Sequence, residues 1–255
     1  MTDRLLAALM FFTRLPFWRI KQVNAECFKH VVDYWPFAGW LTGGAMAAVY
    51  WWGTTWVPPT TAALLAIGTR MLLTGALHED GLADCCDGFG GGTTRDRVLS
   101  IMKDSRIGTY GVLGLIFHTG LLVSLMPALP HAPASIFAAD IYGKACAGFI
   151  IRQLPYGRTA EGAKAGVVYS TWDARATGAH ALRCLVALAP ALAFLAASPG
   201  PFPFGAFLFP PLAELLFATY LKRRIGCYTG DCCGAMFLLC ELSFHLSAVG
   251  LSHLS

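Results

Sequence analysis

Residues 60–88 run TTAALLAIGTRMLLTGALHEDGLADCCDG, an apolar stretch that ends in a cluster of carboxylates. Crossing a bilayer takes about 20 mostly apolar residues, and residues 60–78 supply them with one charge, Arg70. The whole chain has this character: of 255 residues, 56% are hydrophobic and 13% charged, with a mean hydropathy of +0.55. Soluble domains carry about 25% charged residues, so a soluble protein with merely buried core helices is disfavoured. Comparable stretches lie at 35–57, 107–129, 133–151, 180–198, 203–221 and 233–251. The sequence therefore predicts an all-α polytopic transmembrane bundle of about seven spans. It forms one domain, 1–255, with an amphipathic helix at 4–17 lying on the surface.

Lys and Arg collect in short cytoplasmic loops. With the N-terminus inside, Arg4, Arg14, Arg19, Lys21 and Lys29 lie in the cytoplasm. So do Arg95, Arg97, Lys103 and Arg106 after the second stretch, Arg152, Arg158, Lys164 and Arg175 after the fourth, and Lys222, Arg223 and Arg224 after the sixth. The opposite connections, 57–59, 130–132 and 198–203, hold neither Lys nor Arg. The nine cysteines include the neighbours Cys85-Cys86 and Cys232-Cys233 but no zinc-site spacing, and we read them as reduced packing residues. Arg70, Asp140, Lys144, Glu214 and Glu241 fall inside spans, where charge is costly. Internal pairing, such as Asp140 with Lys144 four residues on, is the preferred account, with a polar substrate cavity as the sharper one. No segment points to nucleic acid, and a homo-oligomer stays open.

The acidic stretch extends the second span toward the cytoplasm and makes an active-site loop at about 78–111. At about 100° per residue, Asp80, Asp84 and Asp87 fall near 0°, 40° and −20°, within a sector about 60° wide. Three like charges on one stripe repel unless cations bind among them. Oxygen ligands without a His-Cys set favour Mg²⁺ or Mn²⁺ over zinc. Glu79 lies off the stripe, suited to orienting a neighbour. Next comes Gly88-Phe89-Gly90-Gly91-Gly92, whose Gly90 and Gly91 N–H groups are candidates to face a phosphate, or else belong to a plain linker. Lys103 and Arg106 add cations, and Asp104 adds a fourth candidate metal carboxylate. Arg152 and Arg158, and Thr229 and Asp231, sit in two further polar segments on the same side. Together these groups predict a phosphate-binding surface.

Glu79-Asp80-Gly81-Leu82-Ala83-Asp84 through Asp87-Gly88, and Met102-Lys103-Asp104-Ser105-Arg106-Ile107-Gly108-Thr109, resemble the signature of the cobalamin (cobamide) synthase family, the adenosylcobinamide-GDP ribazoletransferases. The likeness extends to Phe12-Thr13-Arg14-Leu15-Pro16, Leu154-Pro155-Tyr156, Thr229-Gly230-Asp231, Gly234-Ala235 and Glu241. Cys85-Cys86 and Cys232-Cys233 depart from the pattern without removing a charge.

The resemblance implies a bacterial inner-membrane enzyme that joins adenosylcobinamide-GDP to α-ribazole, or its 5′-phosphate, and releases GMP with Mg²⁺ as cofactor. The metal ligands would be Asp80, Asp84, Asp87 and Asp104, and Lys103, Arg106 or Arg152 would offset charge on the departing GMP. The ribazole 5′ oxygen is the expected attacking atom and Glu79 or Asp104 the expected base, while His78 is expected to pack locally. Two rivals remain. A CDP-alcohol phosphatidyltransferase echoes Asp80-Gly81-Leu82-Ala83-Asp84 but places arginine where Asp84 stands. A transporter would put its key charges at mid-membrane.

Overall fold

Prolines and short polar caps set most helix boundaries. The structure is a computed structural model and describes residues 2–157, 169–170 and 173–254. Helix α1 (Thr2–Phe12) leads through 3-10 turns into α2 (Trp35–Gly53), which carries Pro36 in its first turn, where no intrahelical N–H partner is required. A proline also opens α3 (Pro59–Thr74), which is followed by α4 (Leu77–Gly91) and by α5 (Arg95–Lys103), capped by the Thr94 hydroxyl. Then come α6 (Thr109–Leu125), α7 (Ala132–Ala147) and the short α8 (Ile150–Gln153). The carboxylate of Asp173 caps α9 (Ala174–Ala197), and α10 (Phe209–Arg224) precedes α11 (Gly230–Ser252), capped by Thr229.

All seven expected stretches are helical. Among the described residues, five segments are long and apolar enough to cross a membrane: Thr109–Ala128, Ala132–Gln153, Ala174–Ala197, Phe204–Arg224 and Gly230–Ser252. The pair α3–α4 makes a sixth if it is counted as one span. α2 has 19 residues and no charge, but its tryptophans and glycines dilute its apolar character. α1 is amphipathic as expected, burying Ala7, Ala8 and Phe12 while Arg4 stays exposed.

One expectation needs correction. The acidic stretch does not prolong the second span, because the chain turns by 94° between α3 and α4. Gly75 ends α3 in the left-handed conformation (φ 67°) and Ala76 follows it there (φ 55°). Arg14 lies over this bend. Its N–H donates to Leu73 O at 2.7 Å, and a Cβ on Gly75 would stand 2.0 Å from its Nε. The positive φ favours glycine at position 75, and the missing side chain leaves room for the guanidinium above it.

The bend brings the ends of α3 and α4 onto one buried ion network. Arg70 of α3 donates to Glu241 of α11 and, at 3.1 Å, to Glu79 of α4, with Asp140 of α7 at 3.9 Å. Asp140 pairs with Lys144 and accepts from the Thr42 hydroxyl of α2 at 2.8 Å. Lys144 Nζ also lies 4.0 Å from the centre of the Phe237 ring. α2 and α7 approach closely because Gly39 and Gly43 face Ile141 and Asp140, where added Cβ atoms would come within 2.9 and 2.8 Å. Glu214 pairs elsewhere, accepting from Gln153 at 2.8 Å. Internal ion pairing therefore accounts for four of the five intramembrane residues, and a hydrogen bond from a neutral amide for Glu214. The charges do not line a pathway, which removes the support for a transporter.

Arg70→Leu would leave Glu241 and Glu79 buried without their shared cation, and unfolding in detergent should lose roughly 3–5 kcal/mol. Lys21→Ala, which breaks the exposed pair with Asp3 at 2.8 Å, should change stability by less than about 1 kcal/mol. Equal losses would show that the network is not the anchor.

Candidate active site

Three acids on one face of α4 can reach different surroundings, because the helix rises about 10 Å from Asp80 to Asp87. Asp80 is exposed, Asp84 partly buried and Asp87 buried. The Asp80 end is pressed against the start of α11. A Cβ on Gly81 would stand 2.7 Å from Asp231 O, and one on Gly234 would stand 3.2 Å from His78 Cα. Small residues here let two backbones meet, and they bring Asp80 and Asp231 to a common cavity of about 80 Å³. Trp35, His78, Tyr156 and Tyr169 also line it.

Two segments far apart in sequence shape this cavity. The Tyr228 N–H donates to Pro155 O at 3.0 Å, and the Gly157 N–H donates to Tyr228 O at 2.8 Å. The Tyr156 ring meets the rings of Tyr169 and Tyr228 edge-on, at 5.8 and 5.3 Å. Burial pushes the Tyr169 phenol well above its ordinary value, so it stays a neutral donor. Thr229 accepts from the Cys232 N–H at 3.4 Å and donates to Asp231 Oδ2 at 3.2 Å, so one hydroxyl caps the helix and orients the carboxylate. His78 packs among Trp35, Phe12 and Phe237, as expected of a packing residue. Its buried Nε2 has no hydrogen-bond partner among the described residues.

The Asp87 end builds a second groove of about 350 Å³ with Gly91, Arg97, Asp104, Arg106 and Tyr110. Asp87 accepts from the Gly108 N–H at 2.7 Å and from the Gly111 N–H at 2.8 Å, so it caps α6. An added Cβ at Gly108 or Gly111 would stand 2.5 Å from its oxygens, which explains both glycines. Asp104 accepts from Arg106 Nη2 at 2.7 Å and from its backbone N–H at 3.0 Å. Arg106 holds the Asp104 carboxyl down to about 2, and the pair keeps its charges throughout the neutral range.

Several expected site residues are placed otherwise. Glu79 is buried on Arg70 and does not line the Asp80 cavity. Gly90 and Gly91 belong to the last turn of α4, not to a loop. Their N–H groups bond back along the helix, and the Tyr110 ring covers Gly90. The glycine run is tied down instead by Arg224, which donates to Gly92 O at 2.9 Å, and by Arg95, which donates to Ile225 O at 2.9 Å. Lys103 and Arg152 are exposed and line neither cavity, and Arg158 lies outside the described residues. Trp35, Tyr169 and Arg97 were not singled out from the sequence. Only a tertiary contact distinguishes them from other aromatic or basic residues.

A sequence model of the cobalamin-5-phosphate synthase family matches residues 4–249. The chain belongs to that family. It is similar to the adenosylcobinamide-GDP ribazoletransferase of Leptothrix cholodnii, 36% identical over 251 residues that cover 94% of this chain and 92% of the relative. The enzymes so named from Shewanella putrefaciens and Ralstonia pickettii are 34% and 36% identical, covering 96% and 92% of this chain and 92% and 90% of their own. No solved structure matches. In this chain, the two runs that carry the resemblance meet at the second groove, and the first of them also supplies Asp80 to the cavity.

Asp87→Asn keeps the shape but sets an amide N–H₂ against one of the two N–H donors of α6. Stability in detergent should fall by about 1–2 kcal/mol. Asp96→Asn, at the exposed Asp96–Arg95 pair, should change it by less than about 0.5 kcal/mol. An Asp87→Asn protein as stable as the parent would remove the capping role.

Proposed function

We propose that this chain transfers the adenosylcobinamide-phosphate group of adenosylcobinamide-GDP to α-ribazole, or to its 5′-phosphate, and releases GMP. Family membership and the names of its relatives support the substrates. One observation carries the chemistry: Asp80 faces Asp231 across a cavity at the N-terminus of the 23-residue helix α11. The N–H groups and dipole at such a helix end favour phosphate oxygens.

Mg²⁺ suits the donor set. Asp80 and Asp84 are oxygen ligands one helical turn apart, and Mg²⁺ commonly takes one or two carboxylates and completes its shell with water and substrate phosphates. Among the described residues no three His, Cys, Asp or Glu side chains stand close enough to hold a metal by themselves. Asp87 and Asp104 are occupied, one capping α6 and the other paired with Arg106, so we leave them out of the set. When bound, the ion neutralises charge on the pyrophosphate.

Neither expected base lines the Asp80 cavity, Glu79 being turned to Arg70 and Asp104 to Arg106. Asp231, oriented by Thr229, faces the cavity and takes the proton of the acceptor hydroxyl. The acceptor oxygen bonds to the phosphorus next to cobinamide while the phosphorus–oxygen bond to GMP breaks. An acceptor that carries a 5′-phosphate has no free 5′ hydroxyl, so a secondary ribose hydroxyl, rather than the 5′ oxygen expected from the sequence, is the attacking group that suits both acceptors. Exposed Lys103, Arg106 and Arg152 draw the anionic substrate to this face. The asymmetry of basic residues supports a cytoplasmic N-terminus and a cytoplasmic position for this face, and the family resemblance supports the inner membrane.

Purified protein in detergent should release GMP from adenosylcobinamide-GDP plus α-ribazole, lose that activity with a chelator and regain it with Mg²⁺. Asp80→Asn and Asp84→Asn should each cost about a hundredfold or more in kcat while inserting normally. Parental rates in both variants would refute the metal site. Absence of GMP release by the parent protein would refute the reaction.

A further inference from the structure

We infer that the cleft between α1, the segment 30–37 and α9 is a binding site for one anionic phospholipid, with its phosphate among three arginines and an acyl chain in the apolar half. Two cavities adjoin here and share Ala179 and Arg183. The apolar one, about 410 Å³, is walled by Leu5, Tyr34, Phe37, Leu182 and Val186. The polar one, about 300 Å³, holds Arg4, Arg175 and Arg183. Neither shares a lining residue with the Asp80 cavity.

The order of side chains along both walls points to an amphiphile. On α9, Arg175, Ala179, Arg183 and Val186 follow at helical spacing on one face, so polarity falls from the basic end of the bundle toward its interior. The facing wall grades the same way, from His30 and Asp33 to Tyr34 and Phe37. Headgroup, interface and chain of a phospholipid occur in that order. A free anion would leave the deep half unfilled, since Leu182 and Val186 there are 63% and 53% exposed.

Charge complementarity decides the headgroup. Asp33 is engaged by His30 at 3.2 Å, and Asp173 accepts from the Ala176 N–H at 2.7 Å as the cap of α9. Among the described residues, Arg4, Arg175 and Arg183 form no ion pair with a carboxylate. Arg183 instead lies over the Tyr34 ring at 4.8 Å, at the boundary of the two compartments. Three guanidiniums around a polar mouth above an apolar slot suit a phosphate carrying a hydrocarbon chain.

The full chain is reconstituted in nanodiscs of equal phosphatidylglycerol and phosphatidylcholine, and retained lipid is counted by native mass spectrometry. The parent protein should keep one phosphatidylglycerol, preferred at least about tenfold over phosphatidylcholine. Arg175→Gln with Arg183→Gln should weaken that retention about thirtyfold, roughly fivefold per arginine, and Val186→Trp should block it by filling the slot. Arg223→Gln, exposed at the same end of the bundle but outside the cleft, should leave it unchanged. Equal retention of the two lipids by the parent protein overturns the site without recourse to any variant. Parental retention by the double variant, or displacement of the lipid by millimolar inorganic phosphate, overturns it as well, the latter because the occupant would then be a soluble anion.

Discussion

Arg70 is the residue on which the arrangement of helices turns. It is fully buried and reaches Glu79, Asp140 and Glu241, which sit on three different helices. In a membrane such a cation is tolerated only where carboxylates surround it, and the carboxylates in turn need the cation, since removing one partner strands the other. The requirement is geometric as well as energetic. To bring Glu79 to Arg70 within nine residues of chain, the helix cannot run straight, and the left-handed Gly75-Ala76 pair with Arg14 packed over it supplies the turn. Lys144, Asp140 and Thr42 extend the network to α2 and α7.

That anchoring decides what α4 presents to its surroundings. With Glu79 buried, the adjacent Asp80 is turned out to the cavity at the start of α11, and Asp87, two turns on, meets α6. Gly81 and Gly234 allow the two helices to touch backbone to backbone, so the two carboxylates that face the cavity come from elements more than a hundred residues apart. Asp87 spends both oxygens on the N–H groups of α6 and so fixes the helix that closes the second groove. One acidic stripe therefore meets two surroundings, a cavity at its Asp80 end and the start of α6 at its Asp87 end.

Much of this was legible in the chain itself. The spans follow from apolar length, the basic end from uneven Lys and Arg, and the Asp80, Asp84 and Asp87 stripe from helical periodicity, all of which are properties of neighbouring residues. The pairing of Asp140 with Lys144 was legible for the same reason, four residues being one turn. Other features were hidden because they depend on partners distant in sequence. A glycine-rich run after three carboxylates suggests a phosphate loop, yet Gly90 and Gly91 continue the helix under Tyr110. Glu79, Asp104 and Arg106 look chemically free in one dimension, and each turns out to be held by a counter-charge.

The sequence by itself determined a membrane bundle, the family to which it belongs and the acidic stripe of α4, because apolar length, local periodicity and motif spacing are written in consecutive residues. Only the tertiary structure decided what each carboxylate faces. Glu79 is taken by Arg70, Asp87 by the start of α6 and Asp104 by Arg106, whereas Asp80 and Asp231 line a common cavity. What each carboxylate faces is set by donors and walls from helices that fold back from elsewhere in the chain, so no run of neighbouring residues reveals it.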